Sequence, residues 1–452
     1  MSSVIHDAAA GVILHEGRVL LARRHEQLKA FPGYWAFPGG KVDPEDRRDD
    51  EDVALALQRA LVREVHEEIG VDIAGMLADH QVADIAELGC ATTPRFAPHR
   101  FATRFYCITL RVEPALALQA DEITETDWRT PEEWLNQWRR GRLLCAPPTL
   151  AVLEALASDA EQPAAPDFRE RFGSDGATAW YEPVAGLRIL AVHSKTIPPA
   201  QHTNCFYIVD GDSGGILVDP SPADEDAFER LHATVAPWPL DAVMLTHHHP
   251  DHNERANRLA RERGVPLLCS ADTRTRIAAR EGTDWFDGIT VRELAEGDTI
   301  GRWMTEPVRV IAVPGHDAGQ LAPLPDSRAW CVVSDLIQGI GTVVVGGDEG
   351  DMAAYFRSLE RVIDLDPAVI VPSHGMAMGG TWKLAQTLAH RRQRESQVLA
   401  LHAGGADVDA MLETIYGADT PAFLMPLARL NINAHLEKLR DEGRLEATAD
   451  GT

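Results

Sequence analysis

The chain has little positive charge and no long apolar segment. Its 452 residues include 43 Lys and Arg against 69 Asp and Glu, which gives a formal net charge of −26. This charge argues against non-specific attraction to nucleic acid or to an anionic membrane surface. The sequence contains no stretch of 18 consecutive apolar residues, so we expect no membrane span and no membrane partner.

Cysteines are also few and isolated. The six cysteines form no Cys-X-X-Cys pair, so neither a disulfide scaffold nor a thiolate zinc site is indicated. Residues 1–18 lack the basic stretch and the apolar core of a signal peptide. Both features suit a reducing compartment, and we expect a cytoplasmic protein.

The length and the hydrophobic pattern predict several domains. A chain of 452 residues exceeds one ordinary core, so two or three domains are expected. Residues 9–14 and 19–22 predict a β-hairpin. Apolar residues at every fourth position predict a helix over residues 53–69. The small, acidic, proline-containing stretch 157–167 predicts a linker.

The second half alternates short apolar strands with helical stretches, which indicates a layered domain. Its pattern becomes helical from about residue 380, and no internal repeat relates the two halves. We therefore predict an α/β and α+β multidomain protein. The predicted strands are 189–192, 205–209, 216–218, 242–245, 308–313, 330–334 and 369–371. The predicted segments are a domain at 1–156, a linker at 157–179, a domain at 180–380 and a C-terminal helical domain at 381–452.

Three glutamates lie on one side of the first predicted helix, near its end. Helical periodicity places Glu64, Glu67 and Glu68 together, with Glu68 close to the apolar stripe. A carboxylate there is costly unless it is paired or bound to a cation, and clustered oxygens suit Mg²⁺ or Mn²⁺. Upstream, Gly39 and Gly40 permit a tight turn and close approach of the backbone to a ligand. A solvated acidic helix face is the alternative.

The motif Arg-Glu-Val-His-Glu-Glu-Ile-Gly-Val, which starts at Arg63, resembles the second half of the Nudix hydrolase signature. The resemblance implies an α/β/α fold, metal binding by the three glutamates, their orientation by Arg63, and attack of water on a phosphoanhydride. The first half departs from the signature, because Asp46 stands at the expected Glu position. Sixteen residues rather than seven separate it from Arg63. This departure leaves the role of Asp46 open.

The sequence before that motif partly resembles the box found in coenzyme A-cleaving Nudix enzymes. Lys29 stands at an Arg position of the box, and Gly39 and Gly40 end its Phe-Pro-Gly-Gly motif. The resemblance implies that these three residues contact a nucleoside-diphosphate-linked substrate, such as coenzyme A or one of its esters. For Lys29 the alternative is an ordinary solvated charge.

A second cluster of ligand-type residues follows an apolar run in the sequence Leu-Thr-His-His-His-Pro-Asp-His-Asn. The i, i+2 spacing of His247 and His249 lets both imidazoles leave a strand end on the same side. Asp251 and His252 follow, where Pro250 is suited to begin a helix. Four potential ligands in six positions exceed the needs of one tetrahedral zinc with a catalytic water. We therefore expect a second metal and further ligands.

Three later segments supply those ligands. His316, Asp335 and His374 each follow a predicted strand, so all three can converge on one edge of a sheet. Each residue alone is more often structural, and it is their combination that indicates a metal centre. We assign no ligand role to His248, which is the spacer in the motif.

The His-X-His-X-Asp-His motif and these ligands resemble the metallo-β-lactamase superfamily, whose fold is an αββα sandwich. Asp219 matches the aspartate that supports the histidine loop in that family. Two zinc ions would lower the pKa of a water between them, so that hydroxide forms at neutral pH. The resemblance also gives Asp251 a catalytic role. It implies one zinc on His247, His249 and His316, a second on Asp251, His252 and His374, and Asp335 as the bridge.

The C-terminal region resembles the β-lactamase-like protein 2 branch, which cleaves single-stranded RNA and ends in a small winged-helix-like domain. Residues 355–375, 390–395 and 430–445 carry this similarity. It makes single-stranded RNA a candidate partner, although an acidic chain needs a local positive field to bind it. The two metals would supply part of such a field, and Arg391, Arg392 and Arg394 could supply more. For these arginines an ordinary solvated basic face is the alternative. Within the third metal-ligand motif, Asp317 and Gln320 replace a Thr and a His of that branch.

These patterns predict a bifunctional metal-dependent hydrolase. The Nudix site would cleave a small-molecule diphosphate with Mg²⁺ or Mn²⁺, and the second site would act through two zinc ions. The substrate of the second site stays open between single-stranded RNA and a thioester. In an alternative of another class, the Nudix domain is a nucleotide sensor that regulates the zinc site, but its intact glutamates weigh against this.

Overall fold

In the computed structural model, the chain divides into two compact units. Unit 1 comprises residues 1–191 and 376–379, and unit 2 comprises residues 192–375 and 380–452. The structure describes residues 4–48, 52–94, 97, 99–159, 166–168, 176–211, 214–417 and 420–445. Most of the stretch predicted as a linker lies outside the described residues. The domain boundaries proposed from the sequence stay predictions.

Unit 1 contains a mixed seven-stranded sheet. Its strand order is β3-β2-β1-β6-β5, with β4 paired to β1 and β7 paired to β2, and β1 runs parallel to β6. The strands are β1 (Ile5–His15), β2 (Arg18–Arg24), β3 (Trp35–Ala36), β4 (Gly39–Lys41), β5 (Val82–Thr92), β6 (Arg100–Leu110) and β7 (Ile123–Arg129). The helices are α1 (Val53–Ile69), α2 (Ile73–Ala78), α3 (Pro131–Arg139) and α4 (Pro147–Ser158). An antiparallel pair, β8 (Trp180–Val184) and β9 (Leu187–His193), follows.

Alternating residues of β1 face helices on opposite sides of this sheet. Ile13 belongs to a core with Leu57 and Leu61 of α1, whereas Val12 belongs to a core with Leu150 of α4. Period-two alternation in a strand between two helical layers produces this α/β/α arrangement. The hairpin and the helix predicted from the sequence are both confirmed.

The limits of α1 follow from its sequence. Asp52 caps its start, because the carboxylate accepts a hydrogen bond from the backbone N–H of Ala54. Gly70 ends the helix with a φ of 75°, a left-handed conformation that favours glycine. The helix therefore ends directly after the three glutamates, and it presents them on its last two turns.

Unit 2 begins with a layered αββα domain. One sheet contains neighbours in the order β14-β13-β12-β11-β10, in which β10 and β11 are antiparallel and the others parallel. The strands are β10 (His202–Val209), β11 (Gly215–Val218), β12 (Leu240–Met244), β13 (Leu267–Ser270), β14 (Val291–Leu294), β15 (Thr299–Trp303), β16 (Glu306–Ala312), β17 (Leu321–Pro325), β18 (Cys331–Ser334) and β19 (Val369–Pro372). The helices are α5 (Glu225–Val235), α6 (Pro250–Asn253), α7 (Ala256–Arg263), α8 (Ala271–Glu281) and α9 (Met352–Leu365). A short strand β20 (Met378–Gly379) belongs to unit 1.

The second layer of strands consists of an antiparallel set, β15-β16-β17, and the parallel pair β18 and β19. Strands β11, β13, β18 and β19 are entirely buried, and β12 is buried from Ala242 to Met244. A strand that is covered on both faces has a nearly continuous run of apolar residues. This is why β11, β12, β18 and β19 could be predicted from the sequence. The carboxyl ends of β12, β18 and β19 lead into the segments that carry His247, Asp335 and His374.

The chain ends in helices. They are α10 (Trp382–Ala403), α11 (Val408–Tyr416) and α12 (Met425–Asp441). Their core includes Val398, Met411, Leu412, Ile432 and Leu439. The helical pattern predicted from about residue 380 is therefore confirmed. No helix within the described ranges is both long and apolar enough to cross a membrane.

Candidate active sites

The histidine motif begins directly after the buried strand β12. Helix α6 starts at Pro250, with His249 at its N-cap position. Proline suits the first helical position because its missing N–H would have no partner there. The turn brings His252 over His247, with ring centroids 4.0 Å apart, and both side chains are fully buried.

Three histidine nitrogens converge beside this turn. His249 Nδ1 lies 3.0 Å from His247 Nε2 and 3.0 Å from His316 Nε2. The other nitrogen of His316, Nδ1, lies 2.7 Å from the carbonyl oxygen of Val344 and donates to it. His316 therefore presents a lone pair at Nε2, and burial keeps the pKa of His247 well below its usual range, so that ring is neutral too. Neutral nitrogens that face one another suit a shared cation.

Asp251, His252 and His374 form a second group beside the first. His374 Nε2 lies 3.5 Å and His252 Nε2 lies 3.8 Å from Asp251 Oδ2. Asp335 lies between the two groups. Its carboxylate oxygens are 3.5 Å from His374 Nε2, 3.7 Å from His252 Nε2 and 3.7 Å from His316 Nε2. The fold thus brings all seven residues predicted from the sequence into one cluster.

Unpartnered buried atoms show that this cluster fits divalent cations. Within the part of the chain that the structure describes, Asp335 Oδ1, His252 Nε2 and His374 Nε2 are buried and have no hydrogen-bond partner. Each such atom costs about 1–3 kcal/mol, and a cation would satisfy all three. Burial alone would raise the pKa of Asp335, but His374 and His252 hold it well below its usual range. The carboxylate is therefore ionised, as a ligand must be.

Asp219 supports the histidine loop from inside the domain. It accepts hydrogen bonds from the backbone N–H of Thr246 at 2.7 Å and from the Thr246 hydroxyl at 2.6 Å. Its Oδ2 also lies 2.8 Å from His252 Nδ1, which donates to it. A carboxylate on the outer nitrogen fixes the orientation of the ring, so His252 directs Nε2 toward the cluster, where a metal would replace the Nε2 proton.

The structure adds three residues to this site that the sequence reasoning missed or set aside. His248 Nδ1 contacts the buried Asp317, and His248 Nε2 lies 3.0 Å from Glu349 Oε2. Burial alone would lower the pKa of His248, but the two carboxylates raise it to about 9. Glu349 Oε1 also lies 2.7 Å from His249 Nε2. The departure at Asp317 was visible in the sequence, whereas Glu349 lies in an irregular segment that gave no signal.

In unit 1 the buried glutamate of α1 is held by its neighbours. Glu68 Oε2 accepts a hydrogen bond of 2.8 Å from the backbone N–H of Gly39, and Arg24 Nη1 lies 3.5 Å from Oε1. Burial raises the pKa of Glu68 to about 7, against the opposing effects of Arg24 and Gly39. Glu67 is exposed and Glu64 is half-buried. Among the described residues, these three carboxylates do not form a group within 4.8 Å of one another.

Asp46 takes a defined role despite the departure from the Nudix signature. It ends a 3-10 turn and is 4% exposed. Its carboxylate accepts hydrogen bonds from Arg63 Nε at 3.2 Å and Nη2 at 2.7 Å. Arg63 Nη1 in turn donates to Glu64 at 3.0 Å and to Glu67 at 2.9 Å. Asp46 therefore orients Arg63, and Arg63 aligns two of the three glutamates.

The three residues predicted to bind substrate at this site differ in their surroundings. Lys29 is exposed. A Cβ atom on Gly39 would collide with the backbone of Ala9 in β1, and one on Gly40 would collide with the carboxylate of Glu64. The glycines therefore allow β4 to pass between β1 and α1. Contact of these residues with a substrate stays a prediction.

Three family models match separate parts of the chain: the NUDIX domain at residues 5–144, the Metallo-beta-lactamase superfamily at 198–374 and the Beta-lactamase associated winged helix domain at 408–452. The chain contains a Nudix domain followed by a metallo-β-lactamase domain. It is therefore a hydrolase with two hydrolase domains, and helices α11 and α12 belong to the winged-helix domain.

The metallo-β-lactamase part of the chain is similar to several known proteins. The Beta-lactamase-like protein 2 homolog of Drosophila melanogaster is 29% identical over 284 residues, which are 58% of this chain and 90% of that protein. A Hydroxyacylglutathione hydrolase of Cereibacter sphaeroides is 28% identical over 195 residues, which are 43% and 70%. The crystal structure of a Beta-lactamase domain protein from Burkholderia ambifaria shares the fold, with a TM-score of 0.52 and 23% identity over 63% of this chain and 95% of that one.

The three arginines considered for RNA binding lie on α10, which leads into the winged-helix domain. Arg391 is 3% exposed, and it donates hydrogen bonds to the carbonyl of Val343 and to Asn431 Oδ1. Arg392 pairs with an acidic side chain of α9, and Arg394 lies over an aromatic ring of α11. The expectation of a solvent-facing basic surface is wrong for Arg391, because its guanidinium is an internal hydrogen-bond donor.

Proposed function

We propose that the protein hydrolyses two different substrates at two separate metal sites. In the metallo-β-lactamase domain, seven residues would hold two zinc ions. The observation that carries this proposal is the convergence of seven His and Asp side chains that leaves three buried polar atoms unpartnered. A histidine-rich ligand set favours zinc over Mg²⁺. The first zinc would be held by His247, His249 and His316, the second by Asp251, His252 and His374, with Asp335 between them.

The side chains of this site would have different roles in hydrolysis. When bound, the two cations would lower the pKa of a water molecule and stabilise negative charge on the substrate. Asp251 has a side chain that is 17% exposed, so it lies on the open side of the cluster and can orient the attacking water. Outer hydrogen bonds to Asp219, Val344 and Glu349 keep three histidine rings in fixed orientations. The site is therefore ordered before substrate arrives.

At the Nudix site we propose hydrolysis of a nucleoside-diphosphate-linked compound, with coenzyme A or one of its esters as the candidate. Glu64, Glu67 and Glu68 would hold Mg²⁺ or Mn²⁺, which prefer oxygen ligands. Arg63 positions two of these carboxylates through its own hydrogen bonds. Lys29 is the candidate contact to the substrate phosphates, and its exposure leaves it accessible.

For the second site we propose a thioester substrate, with single-stranded RNA as the rival. Three observations favour the thioester. One arginine needed for an RNA-binding surface is buried and the other two are engaged with neighbouring side chains. The net charge of −26 also opposes polyphosphate binding. A relative named for hydroxyacylglutathione hydrolysis matches this domain over 70% of its length, and such substrates are thioesters.

One screen of the full chain tests this proposal. The wild type, loaded with zinc and Mg²⁺, would be offered an acyl-glutathione thioester, an acyl-coenzyme A, free coenzyme A and a single-stranded oligoribonucleotide. Thioester hydrolysis should vanish in His247→Ala and persist in Glu68→Gln, and diphosphate hydrolysis should show the reverse. The contrary result would be a wild type that cleaves the oligoribonucleotide and no thioester, with that cleavage lost in His247→Ala. This result would make single-stranded RNA, rather than a thioester, the substrate of the second site.

A further inference from the structure

We infer that the irregular segment 343–349 is a positioning element for the first metal group, and that the C-terminal helices hold this segment in place. The inference rests on the metal-binding part of the proposed function. The segment contains no helix or strand, yet Val343 and Val345 are almost fully buried. An irregular backbone that is buried needs specific hydrogen-bond partners, and those partners connect the segment to two of the three ligand histidines.

The segment contacts the outer nitrogen of each of these two rings. The carbonyl oxygen of Val344 accepts from His316 Nδ1 at 2.7 Å. Glu349 Oε1 accepts from His249 Nε2 at 2.7 Å. In both rings the opposite nitrogen is the one that faces the shared point of the first group. The segment therefore selects the tautomer and the orientation of both rings.

Glu349 is itself restrained by charge. Its second oxygen lies 3.0 Å from His248 Nε2 and 3.4 Å from Arg276 Nη1. A carboxylate can accept from all of these donors at once, whereas a glutamine of the same shape would direct an NH₂ group toward one of them. Glu349→Gln therefore removes the restraint while it preserves the size of the side chain.

The C-terminal helices hold the other end of the segment. Asn431 of α12 accepts from the backbone N–H of Val345 at 2.9 Å, and Arg391 of α10 donates to the carbonyl of Val343. Arg391 also donates to Asn431 Oδ1 at 3.0 Å, so the two side chains support each other. Gly346 packs so closely on the backbone of α12 that a Cβ atom would not fit. The buried arginine thus serves the metal site through the segment.

The experiment measures zinc rather than turnover. Stepwise zinc affinities would be determined by competition with a chromophoric chelator for the wild type, Glu349→Gln and Arg391→Gln. The matched control is Arg392→Gln, the next residue of α10, whose side chain is 58% exposed and pairs with Glu360. Melting temperatures would be recorded with and without zinc, because only a metal-linked effect changes the zinc-induced increment.

We expect Glu349→Gln and Arg391→Gln to weaken one of the two zinc ions by about 10- to 100-fold, the usual effect of losing an outer partner of a ligand. The other zinc and the control variant should bind as in the wild type. If Glu349→Gln binds both zinc ions like the wild type, the inference is overturned while the metal centre stands. A wild type that binds no zinc would instead overturn the proposed function. If Arg391→Gln does not fold, Asn431→Ala decides whether the helices hold the segment.

Discussion

The two metal sites of this chain are built in opposite ways. The proposed Nudix site takes three carboxylates from two turns of one helix, whereas the proposed metallo-β-lactamase site takes seven candidate ligands from four separated segments. The carboxylates of α1 do not meet within the described part of the chain, since like charges repel without a cation. The histidines are instead held together by hydrogen bonds to outer partners. The glutamates are thus held apart by their own neighbours, whereas the histidines are already brought together by the fold.

The largest effect should follow from removal of the residue between the two metal groups. Asp335→Ala deletes the carboxylate that faces three ligand nitrogens. We expect turnover at the second site to fall about a thousandfold, since polarisation by metal supplies several kcal/mol. Nudix turnover, assayed in the same preparation, should stay at the wild-type rate. A matching loss at both sites would show that they are not independent.

A double variant of α1 tests the Nudix site. Glu67→Gln combined with Glu68→Gln removes two carboxylates from α1, so Nudix turnover should fall by about a hundredfold or more, because the Mg²⁺ ligands are lost. Elemental analysis should still find two zinc ions per chain, as in the wild type. Loss of zinc from this double variant would contradict the assignment of different metals to the two sites.

The difference between the sites also explains what the sequence could predict. The helix at residues 53–69 and the common side of its three glutamates both follow from helical periodicity within one segment. Both could therefore be predicted from the sequence alone. The seven candidate ligands of the second site were found because each segment that carries them follows an apolar run. Three of these runs become the strands β12, β18 and β19, and the run before His316 includes the partly buried strand β16. The role of Asp46 could not be predicted, because sixteen residues, rather than the seven of the Nudix signature, separate it from its partner Arg63.

The residues that hold the ligands were harder to predict than the ligands themselves. Glu349 lies in a segment without periodicity, and only the folded chain brings it to His249. Arg391 looked like part of a basic surface because its two arginine neighbours are close in sequence. Helical geometry turns adjacent residues about 100° apart, and Arg391 faces the interior while Arg392 faces α9.

A smaller effect should separate the two halves of the second site. Asn204 donates to the carbonyls of Pro372 and Gly375, both at 2.8 Å, and so holds the turn that carries His374. Asn204→Ala should weaken the second zinc by about tenfold, at the lower end for an outer partner, and leave the first unchanged. This is the reverse of the pattern expected for Glu349→Gln. Stepwise zinc titration would distinguish the two variants. If Asn204→Ala lowered the affinity for both zinc ions equally, the two metal groups would not be held by separate outer partners.

An effect of similar size concerns the alignment of the Nudix glutamates. Asp46→Asn keeps the size of the buried side chain but turns one of its two acceptors into a donor that opposes Arg63. A hydrogen bond to a charged group is worth about 1.5–3 kcal/mol, so Nudix turnover should fall roughly tenfold at saturating Mg²⁺. The matched control is Asp43→Asn, because Asp43 lies 3.6 Å from the same guanidinium but its side chain is 52% exposed. Water screens that exposed pair, so the control should lose less than about threefold. Equal losses in the two variants would mean that net charge near Arg63, rather than its orientation by Asp46, controls the site.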